Sequence, residues 1–72
     1  MTIGNSFKRF RKLRGLTQQQ VADALNIQKS AYQRYEHDKV VPAATLIIDF
    51  SSAFNVSTDY LLGRSNNPAM NP

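Results

Sequence analysis

The side chains best suited to recognising another molecule lie together in one polar stretch of the chain. They are Lys29, Ser30, Gln33 and Arg34. Residues four positions apart share one face of an α-helix, so in a helix here Lys29 with Gln33 and Ser30 with Arg34 would form one broad face. Arginine and lysine match the guanine acceptors N7 and O6, and glutamine matches adenine N6 and N7. The spacing therefore predicts a face that reads base pairs, or else an ordinary solvated helix face.

Four residues near that face could contact the phosphates of a nucleic acid. They are Thr17, Gln18, Gln28 and Lys39. Gln18 and Gln28 open two predicted helices, where free N–H groups and the helix dipole attract a phosphate oxygen. Alternatives remain open, because Gln28 could act only as a helix cap and Lys39 could contact nothing. For Thr17 we expect a mainly structural role.

Residues that catalyse reactions or bind metals form no recognisable arrangement in the sequence. The chain has no cysteine and one histidine, His37, which lacks a partner for metal binding or for a nucleophilic relay. The aspartates are not clustered, the serines lack a neighbouring base, and three isolated glycines make no phosphate-binding loop. We therefore predict that the protein is not an enzyme and uses no metal or cofactor.

The length and charge of the chain fit one small basic domain. It has 72 residues and a formal net charge of +4. Such a positive field favours polyanions, although a plain basic surface would carry the same charge. Lys8, Arg9 and Lys12 are expected to add only to this general field. No apolar run approaches a membrane span, and the N-terminus lacks an apolar signal core. We expect a cytoplasmic protein without membrane contact, associated with the nucleoid when bound to DNA.

Five helical patterns would position these residues. The first spans about Ile3 to Arg14, with Phe7 and Phe10 in one apolar stripe, and Gly15 is a natural stop. The fourth spans about Ala43 to Phe54 and carries its own apolar face.

The second and third patterns form two short helices joined by a tight turn. Thr17 and Gln20 match a capping box, and Asn26 ends the second helix because asparagine tolerates the left-handed conformation. The third helix spans about Gln28 to Glu36, with Tyr32 on its inner face. A short helix that is polar outward and held at an angle by its neighbour fits the DNA major groove.

The end of the chain contains a fifth, short helix and a polar segment. Ser57 caps the helix and Gly63 stops it. Residues 65–72 are polar, contain proline and show no periodicity, so we expect a disordered tail or the start of a linker. The domain itself would then occupy residues 1–64.

From Ile3 to Gly63 the chain resembles the Xre-type helix-turn-helix domain of phage repressors and Cro proteins. The motifs that carry the resemblance are Leu16-Thr17-Gln18, Ala22, Ile27, Arg34-Tyr35-Glu36 and the run from Val56 to Gly63. The resemblance implies an all-α fold, a compact five-helix bundle of the lambda repressor-like kind. It also implies that helix three enters the major groove of double-stranded operator DNA, that helix two anchors to phosphate, and that two copies bind as a homodimer.

Three places depart from the pattern of that family. Asn26 stands where a turn glycine is usual, which the left-handed tolerance of asparagine allows. His37 and Asp38 stand where Asn-Gly is usual, so we expect a differently shaped loop after helix three. Ala43 and Ala44 stand where a cap and a bulkier residue are common, so helix four is expected to begin less firmly.

Two charged residues fall on faces that the pattern assigns to the core. Arg11 lies four residues after Phe7, and Glu36 lies four residues after Tyr32. A charge that points at a core must be paired, or its side chain must extend to water. The family resemblance implies that Arg11 and Glu36 form a structural ion pair.

These observations favour a sequence-specific DNA-binding transcriptional regulator that binds a palindromic operator as a dimer. We expect a repressor more than an activator. One alternative is the DNA-binding antitoxin of a toxin–antitoxin pair, and the short tail argues weakly against it. Another is a helical protein-interaction module without DNA binding, against which the cations Lys29 and Arg34 argue. For dimerisation, we expect a free apolar surface at Tyr60, Leu61 and Leu62, with pairing that is weak in solution and cooperative on DNA.

Overall fold

The computed structural model describes residues 2–70 as a bundle of α-helices, measuring 32 × 22 × 21 Å. The helices are α1 (Ile3–Leu13), α2 (Gln18–Ala24), α3 (Lys29–Glu36), α4 (Ala44–Phe54) and α5 (Thr58–Leu61). Within the described range, the β-structure is limited to one isolated antiparallel bridge between Val56 and Ala69. The predicted all-α, five-helix fold is therefore confirmed.

Aromatic side chains of α1 and α4 occupy the centre of the bundle. The ring of Phe50 lies 4.5 Å from that of Phe7 and 5.7 Å from that of Phe10, measured between centroids. All three side chains are fully buried, and so is Tyr32 of α3, whose ring stacks on Phe7 at 6.4 Å. The apolar stripe predicted for the first helix thus faces the core, and α3 packs against α1.

Helix α2 begins at a capping box and ends in a tight turn that leads into α3. Thr17 and Gln20 form the predicted capping box at the start of α2. Asn26 adopts a left-handed conformation with φ of 59°, and the Ile27 N–H donates to the carbonyl of Ala22 at 3.0 Å. This left-handed residue and this hydrogen bond close the turn, so they set the direction in which α3 leaves α2.

The loop after α3 is fastened to the start of α1. Asp38 takes the left-handed conformation, with φ of 59°, and its carboxylate accepts a hydrogen bond from the Thr2 hydroxyl at 2.9 Å. Any side chain at Gly4 would collide with the backbone oxygen of Tyr35, so only glycine permits this close approach. The departure at His37-Asp38 is therefore accommodated by Asp38 itself. At the next helix, Ala43 gives α4 no side-chain cap.

Helix α5 is packed more deeply than its sequence indicates. Tyr60 and Leu61 belong to the buried core, and among the three residues expected to form a free apolar surface only Leu62 is exposed. That expectation was wrong for Tyr60 and Leu61 because the single turn of α5 packs against both α1 and α4. Arg9 of α1 also donates to the Tyr60 hydroxyl at 3.1 Å.

The polar segment after α5 returns to the domain over its described part. The carbonyl of Pro68 accepts a hydrogen bond of 2.8 Å from the backbone N–H of Ser57, next to the bridge between Val56 and Ala69. The division into a domain of residues 1–64 and a tail of residues 65–72 stays a prediction, and residues 1, 71 and 72 lie outside the described range.

Candidate nucleic-acid interface

The polar side of α3 faces solvent between two shallow depressions of the surface. Lys29, Ser30 and Arg34 are exposed, and Gln33 is half-buried. The four predicted base-reading residues therefore lie on the accessible side of one helix, while Tyr32 is buried behind them. This arrangement leaves their donors and acceptors open to a large ligand.

The first depression joins α1 to the start of the helix-turn-helix. Its lining includes Lys8, Lys12, Thr17, Gln18 and Lys29. Lys8 and Lys12 were expected to add only to the general charge, whereas the fold places them in the same depression as two predicted phosphate contacts. Their four-residue spacing on α1 was a signal for a shared face, but only the packing of α1 shows what that face adjoins.

The second depression lies on the other side of α3. It is lined by Ser30, Gln33, Arg34, His37 and Lys39. Apart from the cations of α3 itself, Lys8 and Lys12 lie on one side of the helix and Lys39 lies on the other. A helix that lies in the major groove has a phosphate backbone on each side, and two cationic flanks match that geometry.

The other predicted phosphate contacts differ in their exposure and in the hydrogen bonds that they already make within the protein. Gln28 is exposed and, as the N-cap of α3, makes no side-chain hydrogen bond to the helix. Thr17 has a structural role, because its hydroxyl accepts from the Gln20 N–H at 3.0 Å and its own N–H donates to the Gln20 side chain at 2.8 Å, but these bonds do not use its hydroxyl hydrogen. Lys39 is exposed at the end of the second depression.

Arg11 and Glu36 form a bidentate ion pair beneath this surface. Arg11 Nε lies 2.7 Å from Glu36 Oε2, and Arg11 Nη2 lies 3.1 Å from Glu36 Oε1. Arg11 Nη1 donates to the carbonyl of Leu16 at 3.0 Å, which ties α1 to the entry of α2. The Glu36 side chain is fully buried and that of Arg11 is 13% exposed, so the pair links α1 to α3 inside the domain.

Both members of the pair stay charged at neutral pH. Burial alone would raise the pKa of the Glu36 carboxyl, but the Arg11 guanidinium, the Tyr32 hydroxyl and the Gln18 amide together outweigh it and lower the pKa below the usual 4.5. The hydrogen bond to Glu36 raises the pKa of Arg11. The pair therefore stabilises the fold fully above pH 4.5, and this contribution is lost as the pH falls through the lowered pKa.

Gln18 connects the ion pair to the polar side of α3. Its Nε2 donates to Glu36 Oε1 at 3.2 Å, and its Oε1 accepts from Gln33 Nε2 at 3.0 Å. Gln18, a predicted phosphate contact, is thus hydrogen-bonded directly to Gln33, a predicted base-reading residue. No local sequence pattern indicates this bond, because the two glutamines are 15 residues apart on different helices.

The described part of the chain contains neither a metal-binding cluster nor a membrane-spanning helix. No three residues among histidines, cysteines and carboxylates lie close enough together to hold a metal ion between residues 2 and 70. In the same range, every helix is too short or too polar to cross a membrane.

Comparison with known proteins agrees with this geometry. The helix-turn-helix family model matches residues 7–61. The HTH-type transcriptional regulator ImmR of Bacillus subtilis is 39% identical over 64 residues, which are 89% of this chain and 50% of ImmR. The uncharacterized HTH-type transcriptional regulator YqaE of the same organism is 44% identical over 65 residues, 89% of this chain and 56% of YqaE. The chain thus spans about half the length of these relatives.

Two solved structures share the fold. A transcriptional regulator from Listeria innocua superposes with a TM-score of 0.78 at 26% identity, covering 92% of this chain and 62% of that one. The P22 c2 repressor, crystallised with a synthetic operator, superposes with a TM-score of 0.79 at 22% identity, covering 90% of this chain and 98% of the repressor. The second likeness concerns the fold alone.

We predict that the substitution Arg11→Met lowers the free energy of unfolding by about 3–5 kcal/mol, because it leaves the Glu36 carboxylate buried without its cation. Replacing both partners, by Arg11→Met with Glu36→Leu, should cost much less, since no buried charge remains. Urea denaturation at pH 7 measures these two variants and the single variant Glu36→Leu. The control Lys12→Met removes an exposed cation from the same helix and should change stability by about 0.5 kcal/mol or less. Small losses that add in the double variant would contradict a buried pair.

Proposed function

This chain belongs to the helix-turn-helix family, and from that premise we propose that it binds double-stranded DNA and regulates transcription. The observation that carries the proposal is the polar, accessible side of α3 between two cationic depressions. A helix of this kind fits the major groove, which is about 12 Å wide, while the depressions face the two phosphate backbones.

Base reading is proposed for the outer residues of α3. Lys29 and Arg34 offer donors suited to guanine O6 and N7, while Ser30 can bond to any base edge. Gln33 carries both a donor and an acceptor. Since bases are reached only from within the groove, these residues would decide which sequence is preferred.

Phosphate contacts are proposed for residues on both flanks of α3. They are Gln18, Gln28, Thr17 and Lys39, together with Lys8 and Lys12 of the first depression. The Gln18 amide nitrogen has two hydrogens, and Glu36 takes one of them. These contacts would set the position of the domain on DNA and make its affinity depend on salt.

We further propose that the protein acts as a repressor and binds its operator as two copies. One recognition helix contacts only a few base pairs, which is too little to select an operator among many competing sites. A two-fold axis between two copies would require a palindromic site with half-sites about 34 Å apart. Occlusion of a promoter by such a dimer needs no additional surface.

Arg34→Ala should reduce the affinity for a selected DNA site by about 1–3 kcal/mol and relax the base preference at one position, because a bidentate contact to guanine is lost. Competition binding against random duplex measures the selected and the nonspecific affinity separately. Arg64→Ala is the matched control, since Arg64 is exposed and lines neither depression. Equal losses on selected and random DNA would assign Arg34 to the backbone instead.

The proposed assembly predicts a two-part footprint. Hydroxyl-radical cleavage of DNA that carries the selected site should show two protected regions about one helical turn apart, and occupancy should rise cooperatively with protein concentration. A single protected half-site, with occupancy that follows a simple one-site curve, would contradict pairing on DNA.

A further inference from the structure

We propose that Gln33 selects adenine, and that the buried ion pair and Gln18 determine this choice by fixing which way the Gln33 amide points. The inference rests on the proposed binding of α3 in the major groove. It names the base that this position reads and a positioning residue, Gln18, that strengthens the choice.

Glu36 determines the direction of the Gln18 amide. Its carboxylate is fully buried and paired with Arg11, so it remains ionised and can only accept hydrogen bonds. Gln18 approaches Glu36 Oε1 at 3.2 Å, and only the nitrogen end of its amide can make that contact. The reversed amide would set its oxygen against the carboxylate oxygen.

The orientation of Gln18 then decides that of Gln33. With Gln18 Nε2 turned to Glu36, its Oε1 faces α3 and accepts from Gln33 Nε2 at 3.0 Å. A reversed Gln33 amide would place two oxygens in contact. The acceptor-only carboxylate of Glu36 therefore fixes two amides in succession, across the contact between α2 and α3.

What Gln33 has left to offer DNA follows from this arrangement. One of its two amide hydrogens is used by Gln18, so one remains. Among residues 2–70, no group donates a hydrogen bond to the Gln33 Oε1, and the residue lines the depression beside Arg34. Gln33 thus presents one donor and one acceptor.

Among the four bases taken singly, only adenine matches that pair in the major groove. Adenine offers an acceptor at N7 and a donor at N6, whereas guanine offers two acceptors. Cytosine offers only a donor at N4, and thymine only an acceptor at O4. A glutamine without an orienting hydrogen bond can turn both amide hydrogens toward guanine. The oriented amide should therefore discriminate adenine from guanine more strongly than a free one. The expected preference for adenine over guanine is roughly 5- to 150-fold.

The test uses the full chain and DNA duplexes selected from a random pool. Gln33→Ala first identifies the base position that depends on Gln33. The ratio of affinities for adenine and guanine at that position is then measured by competition for the wild-type chain, for Gln18→Met and for Gln19→Met. The methionine keeps the length of the side chain but removes its amide. Gln19 is the matched control because its amide bonds to Asp23 at 2.8 Å instead of to α3.

We expect the wild-type chain to prefer adenine, and Gln18→Met to lower the adenine-to-guanine ratio about fivefold or more, as the loss of one orienting hydrogen bond implies. Gln19→Met should leave the ratio unchanged, whatever it does to overall affinity. An unchanged ratio in Gln18→Met, a wild-type preference for guanine, or no position that depends on Gln33 would each overturn the inference.

The same experiment distinguishes failure of this inference from failure of the proposed function. A wild-type chain that enriches no sequence at all contradicts the proposed function, whereas enrichment without an adenine at the Gln33 position contradicts only the inference. Thermal unfolding by circular dichroism verifies that each variant is folded, and Gln18→Ala replaces the methionine variant if that one is not.

Discussion

The bidentate bond between Arg11 and Glu36 is the constraint on which the arrangement of α3 depends. It joins α1 to the last residue of α3 and, through the Leu16 carbonyl, to the entry of α2. The partners are buried unequally, with Glu36 fully enclosed and Arg11 slightly exposed. A buried ion pair adds little net stability over an apolar pair, but it is costly to break, so it favours one arrangement of the helices.

That constraint extends outward in steps to the proposed DNA surface. The ionised Glu36 orients Gln18, Gln18 orients Gln33, and Gln33 lies beside Arg34 at the second depression. Recognition usually requires polar surface groups that a rigid interior holds in place, since side chains fixed in advance lose less conformational freedom on binding. The core aromatic residues hold the helices, while the polar network sets the direction of individual donors and acceptors.

Local chemistry made most of the fold predictable. The capping box at Thr17, the left-handed turn at Asn26 and the stop at Gly63 are set by neighbouring residues, and the structure contains all three. Tyr60 could not be placed in this way, because one turn of helix gives too short a pattern to show that it packs on two sides.

The candidate site was predictable only where its residues share one helix. The outer side of α3 follows from spacing, whereas the nearness of Lys8 and Lys12 to Thr17 requires the packing of α1. The bond between Gln18 and Gln33 likewise depends on how α2 and α3 are joined. The DNA contacts themselves remain predictions that rest on this placement.

Mapping the bound surface by nuclear magnetic resonance tests the proposed DNA interface most directly. The labelled chain is titrated with a duplex of about 10 base pairs, one helical turn, which leaves no room for a second copy. We predict that the largest shift changes fall on the outer residues of α3 and on Lys8 and Lys12, while Ile48 of α4 is unaffected. Changes centred on α4 and α5, or no changes at low salt, would contradict this interface.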